Sequence, residues 1–304
     1  MSFCIFYGFV LYLFFTCSPA SNVNVKDGAK IVYIPSATFT MGTDSTEVSF
    51  LEDLYLKATS GDYDKEMLKM EFPRRQSTAG NFWIYQYEVT NSQYKMFCDQ
   101  TKRQYPADPD ISWFQGYFLK NPNYPVINVS YYDADAYAKW AGGDLPTEDE
   151  WERVARSSDR RLYPWGNSSI GFERANFKPL RNVIGDGYPY IAPVGSYPFG
   201  CNANGVMDLA GNVYEWCSTT YRVPFQDPTD KTIYRIIRGG SWSSSYFELR
   251  CAHRGFFNEN LKAAFIGFRI VIRKAQETTT PIKTAVTSPK QEQVSEIKPE
   301  EVKK

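Results

Sequence analysis

The sequence is short of residues that several common chemistries need. It holds one histidine, His253, in 304 residues. A site with two or more histidine ligands, such as an iron facial triad or a His-rich zinc site, is therefore excluded. An excess of either charge is also lacking, because 34 Lys and Arg residues balance 34 Asp and Glu residues. Non-specific nucleic-acid binding needs a broad basic surface, so we expect no nucleic-acid partner.

A long apolar run is missing at the N-terminus. Residues 5–15 (IFYGFVLYLFF) are too few for a membrane-spanning helix, which needs roughly 20 residues. Small residues follow at 18–20 (SPA), as at a signal-peptidase site. We expect residues 1–20 to be an export signal of a secreted protein, or a lipoprotein signal with Cys17 as the lipidation site. The second form would anchor the protein to the outer face of a membrane. A buried N-terminal strand is less favoured, because polar residues follow at once.

Aromatic residues are missing from residues 275–304, which are rich in Thr, Pro, Lys and Glu. Such a segment cannot bury enough apolar surface to offset its ordering entropy, so we expect a disordered tail. The rest of the chain is the opposite. Aromatic residues make up 16% of the sequence, with 20 Gly and 18 Pro. This composition predicts one loop-rich domain, residues 26–274, packed by aromatic side chains.

Three N-terminal capping patterns predict helices. They begin at Thr90, Ser130 and Thr147, each followed three residues later by Gln, Asp or Glu. Gly142 and Gly143 predict the end of the second helix, because glycine tolerates positive φ. Short β-prone runs lie at residues 31–34, 81–87, 234–238 and 268–272. Together these signals predict an α+β fold with much irregular backbone.

Eight ordered motifs carry a resemblance to a known family. They are residues 34–42 (IPSATFTMG), 87–94 (YEVTNSQY), 125–130 (PVINVS), 145–152 (LPTEDEWE), 163–166 (YPWG), 211–216 (GNVYEW), 238–242 (RGGSW) and 266–269 (IGFR). The chain resembles the formylglycine-generating-enzyme, or sulfatase-modifying-factor, domain family over residues 30–273. The resemblance implies a single loop-rich α+β domain related to C-type lectin folds. Because the family includes oxidases, oxygenases, lipoproteins and ligand-binding proteins, the fold does not fix the function.

The resemblance also indicates what this chain has lost. Formylglycine-generating enzymes bind copper through a Cys-x4-Cys pair that follows the Gly-Gly-Ser-aromatic motif, and Cu(I) prefers such soft thiolates. Here the corresponding segment, residues 241–250 (SWSSSYFELR), has no cysteine. The two family positions fall near Ser244 and Phe247. A serine hydroxyl cannot replace a thiolate, so the resemblance implies that the sulfatase-activating reaction is lost.

The remaining cysteines have two open interpretations. Cys98, Cys201, Cys217 and Cys251 could form up to two disulfides in an exported protein, or stay reduced and buried. Cys251 matches a family cysteine of a structural disulfide, but the family partner position, residues 152–156, holds none. Ergothioneine-type oxygenases take iron ligands from an additional histidine-bearing helical domain that this sequence does not show. We interpret His253 as a packing or surface residue.

The resemblance implies two structural calcium sites. One would use Asn176 (side chain), Phe177 (carbonyl), Asp186 (side chain) and Tyr188 (carbonyl). The other would use Asp208, Gly211, Val213 and Glu215. Carboxylates and carbonyls suit Ca²⁺, although Asp and Asn are also ordinary turn residues. We expect calcium to hold long loops in place, with no copper site.

The segment 243–265 is the expected ligand face. Ser/Tyr-rich loops on a rigid scaffold are a common recognition design. The residues we select are Ser243, Ser244, Ser245, Tyr246, Phe247, Phe256, Phe257 and Asn258. We expect Arg238, Arg250, Arg254 and Arg269 to support the core through carboxylates such as Glu150 and Glu215.

Two functions therefore compete at this stage. The favoured one is an exported, non-catalytic module for binding or assembly, stabilised by calcium, with a protein or a glycan as its ligand. The alternative is an oxidoreductase of the same family whose metal ligands are not recognised in the sequence.

Overall fold

The computed structural model describes residues 22–59, 68–178, 185, 187–224, 227 and 229–273. The predicted export signal at 1–20, the lipidation site at Cys17 and the tail at 275–304 lie outside these residues. Among the helices that are described, none is long and apolar enough to cross a bilayer.

The helices of the described residues are short. They are α1 (Val48–Ala58), α2 (Asn91–Thr101), α3 (Tyr117–Lys120), α4 (Tyr131–Trp140) and α5 (Glu148–Arg156). The three capping predictions are confirmed, because Thr90, Ser130 and Thr147 each close a complete capping box before α2, α4 and α5. Such a cap contributes about 1 kcal/mol to the stability of a helix. Helix α1 has no side-chain cap hydrogen bond and was not predicted.

The strands are equally short. They are β1 (Asn22–Val23), β2 (Lys30–Ile34), β3 (Ala37–Met41), β4 (Arg75–Ala79), β5 (Phe82–Tyr85), β6 (Tyr214–Tyr221), β7 (Tyr234–Arg238), β8 (Gly255–Asn258), β9 (Ile266–Gly267) and β10 (Val271–Ile272). One sheet has the order β1-β2-β5-β10, a second pairs β3 with β4, and a third has the order β8-β7-β6-β9. The mixed helix-and-sheet class is as predicted.

One predicted strand is wrong in extent. Residues 268–272 do not form a single strand, because the chain leaves the third sheet after β9 and enters the first sheet only at β10. Between them Arg269 is fully buried and binds Glu215. The buried ion pair occupies the crossing between the two sheets.

An aromatic core joins α2 to α4, as the composition predicted. Tyr94 of α2 stacks on Tyr137 of α4 at 5.6 Å between ring centroids, and Phe268 meets Tyr137 edge-on at 5.4 Å. Aromatic pairs in these offset or edge-on arrangements contribute about 0.5–1.5 kcal/mol beyond the area they bury.

The third sheet carries the surface of interest. Strand β7 pairs antiparallel with both β6 and β8. Gly239 and Gly240, directly after β7, have φ angles of +96° and +74°. Glycine adopts these angles without strain, and they start the long connection to β8. That connection contains the segment where the family places its cysteine pair.

Candidate ligand-binding site

A cavity of about 670 Å³ is lined by residues from β6, β7, β8 and the connection between β7 and β8. Its volume lies within the roughly 300–1,000 Å³ range of small-molecule sites. The side chains that matter for its chemistry are Tyr214, Tyr221, Ser243, Ser244, Glu248, His253, Arg254, Phe256, Phe257 and Phe265.

The walls of the cavity are aromatic. The rings of Tyr221 and Phe256 stack at 4.4 Å. Those of Phe257 and Phe265 lie 5.8 Å apart, and Phe265 is 6.4 Å from Tyr214. Because the rings pack against one another, the walls are held in place before any ligand binds.

A chain of hydrogen bonds crosses the polar side of the cavity. The hydroxyl of Ser244 donates to the hydroxyl of Tyr214 at 3.4 Å, and Tyr214 donates to Oε1 of Glu248 at 3.0 Å. The backbone N–H of Ser245 donates to Oε2 of Glu248 at 2.7 Å. Burial, and then the charge of Glu248, raises the pKa of Tyr214 well above its usual range. The tyrosine hydroxyl therefore stays protonated and acts as the donor in its hydrogen bond to Glu248.

His253 also lines the cavity but is almost fully buried, with 2% of its surface exposed. Neither ring nitrogen has a hydrogen-bond partner among the described residues, and Nδ1 lies 3.7 Å from Oε1 of Glu71. The surface alternative for this histidine is wrong, because its ring packs edge-on against Phe247 at 6.1 Å.

Arginine–carboxylate pairs, one buried and one partly exposed, lie around the cavity. Arg250 binds both oxygens of Glu71, at 2.9 and 2.6 Å. Burial alone would raise the pKa of Glu71, but the charge of Arg250, with His253 nearby, holds it well below its ordinary value. Arg254 binds both oxygens of Glu148, at 2.5 and 2.7 Å.

The predicted partners of the arginines are partly confirmed. Arg269 binds both oxygens of Glu215, each at 2.7 Å. Glu150 instead pairs with Arg273 at 2.6 Å, because α5 brings this carboxylate to the end of β10. Arg238 is buried against Glu152.

The expected ligand face divides into two parts. Ser243, Ser244, Phe256 and Phe257 line the cavity. Ser245, Tyr246 and Asn258 are half-buried and are not among the residues that line it.

One residue of the expected ligand face is assigned wrongly. Phe247 is 3% exposed and packs into a cluster with Leu51, meeting Tyr55 edge-on at 5.1 Å. The Phe247 ring turns inward because it packs 3.8 Å from the guanidinium of Arg250. Nε of Arg250 also donates to the backbone carbonyl of Phe247.

Among the described residues that line the cavity there is no cysteine. Cys98, Cys217 and Cys251 are buried free thiols, so the reduced interpretation holds for these three, and Cys201 is half-buried. Burial raises the pKa of Cys251 to about 12 and that of Cys98 to about 11, and it raises the pKa of Cys217 well above its usual value. A thiol with a raised pKa is a poor nucleophile and a poor metal ligand at neutral pH.

The first predicted calcium place is only partly described. Asp186 lies outside the described residues. The side-chain nitrogen of Asn176 is used by protein acceptors, because it donates to the carbonyl of Tyr190 at 2.7 Å and to Oδ1 of Asn212 at 3.2 Å. Phe177 is buried and Tyr188 is exposed.

At the second place Glu215 is already neutralised by Arg269, and it accepts a third hydrogen bond from Trp151 at 2.8 Å. Asp208 accepts from the N–H of Gly195 at 2.6 Å. Gly211 and Val213 are both buried. A Cβ on Gly211 would lie 2.1 Å from the carbonyl oxygen of Asn176, so only glycine fits here. This contact brings the two predicted places together, although they are distant in sequence.

Glu88 joins the second place. Burial, and then repulsion by Asp208, raises the pKa of Glu88 well above its ordinary value. Burial also raises the pKa of Asp208 to about 6. Over the described residues, no group of three His, Cys, Asp or Glu side chains is arranged to hold a metal ion as the structure stands.

Sequence reasoning missed Glu71, Glu88, Tyr214 and Glu248 as site residues. Glu88 and Tyr214 lie inside the quoted motifs, and Glu248 lies in the segment that replaces the cysteine pair, so a signal existed for these three. Glu71 had none, because 179 positions separate it from Arg250.

The comparisons with known proteins agree with the motifs. The sequence model of the sulfatase-modifying factor enzyme 1-like domain matches residues 18–274. The chain is 30% identical over 284 residues to the formylglycine-generating enzyme of Mus musculus. The aligned region covers 79% of this chain and 74% of the mouse protein. It is 32% identical over 247 residues to the serine/threonine-protein kinase Pkn1 of Chlamydia trachomatis, but spans only 38% of that protein's length and 74% of its own.

A solved structure shares the fold. The structure of PvdO from Pseudomonas aeruginosa superposes with a TM-score of 0.63 at 26% identity, covering 83% of this chain and 97% of that one. The chain therefore belongs to the sulfatase-modifying factor enzyme 1-like domain family.

Proposed function

We propose that this chain is a ligand-binding module of its family that does not perform the family's thiol chemistry. The observation that carries the proposal is the cavity beside β7 and β8. It lies at the segment that follows the Arg-Gly-Gly-Ser-Trp motif, where the formylglycine-generating enzymes place their cysteine pair. Here that position presents serine hydroxyls, a carboxylate and aromatic rings.

Chemistry at this cavity supports binding over thiol catalysis. Ser244 cannot supply the soft ligand that Cu(I) requires, since a hydroxyl is a hard donor. Cys217 and Cys251 belong to an apolar core cluster, and burial keeps both thiols protonated. A preformed pocket with apolar walls and a few polar groups is the usual design of a ligand site. We propose that the ligand is a protein or a glycan, or a chemical group that belongs to one.

Calcium is part of the proposal as a structural ion. Glu88, Asp208 and Glu215 all act on the single guanidinium of Arg269, so carboxyls outnumber cations at this buried place. Oε2 of Glu88 is a buried atom with no hydrogen-bond partner among the described residues. Asp208 and Glu88 fit a divalent cation, whereas Glu215 is occupied by Arg269. A bound Ca²⁺ would supply positive charge and hold the turn at residues 208–213.

Export is proposed from the N-terminal sequence alone, either as a secreted protein or with lipid anchoring at Cys17. The intact mass of the mature protein tests it. A mass that corresponds to a chain starting after Ala20 supports secretion. A mass that corresponds to a chain starting at Cys17 with a lipid attached supports anchoring. An unprocessed N-terminus would contradict both.

The central test combines metal analysis with oxygen consumption. Purified protein is expected to contain no stoichiometric copper or iron and to consume no oxygen with a cysteine-containing sulfatase peptide. Stoichiometric copper or iron together with oxygen consumption would establish the alternative, an oxidoreductase of this family. That alternative is retained because the mouse relative is named as an enzyme and the chain covers 74% of it.

A further inference from the structure

We infer that the cavity recognises an organic cation, an ammonium or guanidinium group on an apolar body, with Glu248 as its counter-charge. The inference rests on the proposed function, because it names the class of ligand that the binding module takes. Four features of the described residues carry it.

The first feature is the environment of Glu248. Its two oxygens accept from the Tyr214 hydroxyl and from the Ser245 N–H, which are both neutral donors. Among the ion pairs of the described residues, none joins Glu248 to a Lys or Arg nitrogen within 4.0 Å. The carboxylate at this wall of the cavity is therefore hydrogen-bonded but not neutralised.

The second feature is that Arg254, the arginine among the described residues that line the cavity, is already neutralised. Both oxygens of Glu148 bind Arg254, and Nη1 of Arg254 donates to the carbonyl of Met70 at 2.5 Å. An anionic ligand would have to compete with this bidentate pair. A cationic ligand meets instead the half-buried carboxylate of Glu248, which has no ion-pair partner among the described residues.

The third feature is the aromatic surface next to the carboxylate. Tyr214, whose hydroxyl binds Glu248, lies beside Phe265, and Phe265 lies beside Phe257. Aromatic faces attract cations through their quadrupole, most strongly where water is excluded. Carboxylate and rings together favour a cation with apolar substituents over a strongly hydrated metal ion.

The fourth feature is His253. It is a buried polar side chain that lines the same cavity; its Nδ1 faces Oε1 of Glu71 at 3.7 Å, whereas its Nε2 has no hydrogen-bond partner among the described residues. Buried polar groups are nearly always hydrogen-bonded, so a partner is expected from a bound molecule or water. The described residues that line the cavity therefore include a carboxylate, an imidazole and several aromatic rings.

A free organic amine and a lysine side chain of a protein present the same cation, so the test uses both. The probes are phenethylamine and an acetyl-Gly-Lys-Gly-amide peptide, measured by calorimetry on the full chain. The neutral 2-phenylethanol and the anionic 3-phenylpropionate have nearly the same shape as the amine and serve as controls. If phenethylamine has the higher affinity, the ligand is a small molecule. If the peptide has the higher affinity, the ligand is a protein.

We expect phenethylamine or the peptide to bind roughly tenfold tighter than 2-phenylethanol. A tenfold difference in affinity is the size expected from one contact between a cation and a carboxylate or aromatic face from which water is excluded. In Glu248→Gln the preference should disappear, because the side chain keeps its size but loses its charge; the amide oxygen can still accept one of the two hydrogen bonds, from Tyr214 or from Ser245. Glu173→Gln, an exposed carboxylate paired with Arg174, is the matched control and should keep it. Phe265→Leu is a second variant, to be used if Glu248→Gln does not fold. It removes an aromatic ring from the cavity wall and should weaken the preference for the cation.

Equal binding of amine, alcohol and carboxylate would overturn the inference while leaving the binding module in place. A preference that survives in Glu248→Gln would also overturn it. If no probe binds, the inference fails, and if oxygen consumption with stoichiometric copper or iron is then found, the proposed function fails with it.

Discussion

The hydroxyl of Tyr214 donates a 3.0 Å hydrogen bond to Oε1 of Glu248 and so links two motifs that lie far apart in the sequence. Tyr214 opens β6, and Glu248 lies in the segment that replaces the family's cysteine pair. The bond fixes, at the aromatic wall of the cavity, a carboxylate that has no ion-pair partner among the described residues.

Removal of this hydrogen bond should cost stability. Tyr214→Phe keeps the ring against Phe265 but deletes the donor to a charged acceptor, so we expect the free energy of unfolding to fall by about 1.5–3 kcal/mol. Chemical denaturation measures the change. Tyr33→Phe, whose exposed hydroxyl bonds Asn81, is the control and should change stability less. A Tyr214→Phe variant as stable as the wild type would contradict this account.

The sulfatase-activating reaction should be absent. With copper supplied, we expect no conversion of a cysteine-containing sulfatase peptide to formylglycine, because residues 241–250 hold no cysteine and no thiol is among the described residues that line the cavity. Mass spectrometry of the peptide checks this, with the mouse formylglycine-generating enzyme as the positive control. The characteristic mass change in the presence of this chain would refute the prediction.

Two thiols should be unreactive in the folded protein. Burial raises the pKa of Cys251 to about 12 and raises that of Cys217 well above its usual value, so little thiolate exists at pH 8. We expect iodoacetamide to modify both residues only after unfolding in denaturant, as read by peptide mass spectrometry. Rapid labelling of either one in the native state would show that its side chain is accessible.

Glu71 should control stability at low pH. Its pKa lies well below the ordinary value of 4.5, because the charge of Arg250 outweighs burial. A carboxyl group with a lowered folded-state pKa stabilises the fold above its unfolded-state pKa, and this contribution is lost as the pH falls from about 4.5 toward the folded value. In Glu71→Gln we expect a loss of about 3–5 kcal/mol at pH 7, since Arg250 would remain buried without its counter-charge.

The same variant should show a weaker loss of stability on acidification than the wild type. Denaturation at several pH values measures both effects. Glu173→Gln, with its exposed ion pair to Arg174, is the control and should change stability by less than about 1 kcal/mol. Parallel pH profiles of wild type and Glu71→Gln would assign the acid sensitivity to other groups.

Calcium should stabilise the fold by mass action. An affinity of about 0.1–1 mM, typical of extracellular sites, would make millimolar Ca²⁺ contribute about 1–3 kcal/mol, so a chelator should lower the melting temperature. Glu88→Gln and Asp208→Asn should reduce this response, and the second change suits the left-handed backbone at residue 208, where φ is +57°.

Asp186→Ala tests the first predicted place in the same way, and Glu173→Gln should respond like the wild type. A wild-type melt that ignores the chelator, together with no calcium by elemental analysis, would remove calcium from the account.

Local signals in the sequence were sufficient for several features. The capping boxes at Thr90, Ser130 and Thr147 place three helices, because a cap is formed by residues within one turn of each other. Strand β7 is found at the predicted residues 234–238. The ordered motifs identify the family, and the missing cysteines near Ser244 are a fact of the sequence alone.

Tertiary structure decided the chemistry of the cavity. Glu71 and Arg250 meet across 179 positions, and no local pattern marks such a pair. Phe247 turns into the core although its neighbours Ser243 and Ser244 line the cavity, because in an irregular loop packing partners, not periodicity, set the direction of each side chain. The motif predicted Glu215 as a calcium ligand, but in the fold its carboxylate is paired with the buried guanidinium of Arg269. The sequence determined which residue types were available, and long-range contacts determined which of them remained unpaired at the surface of the cavity.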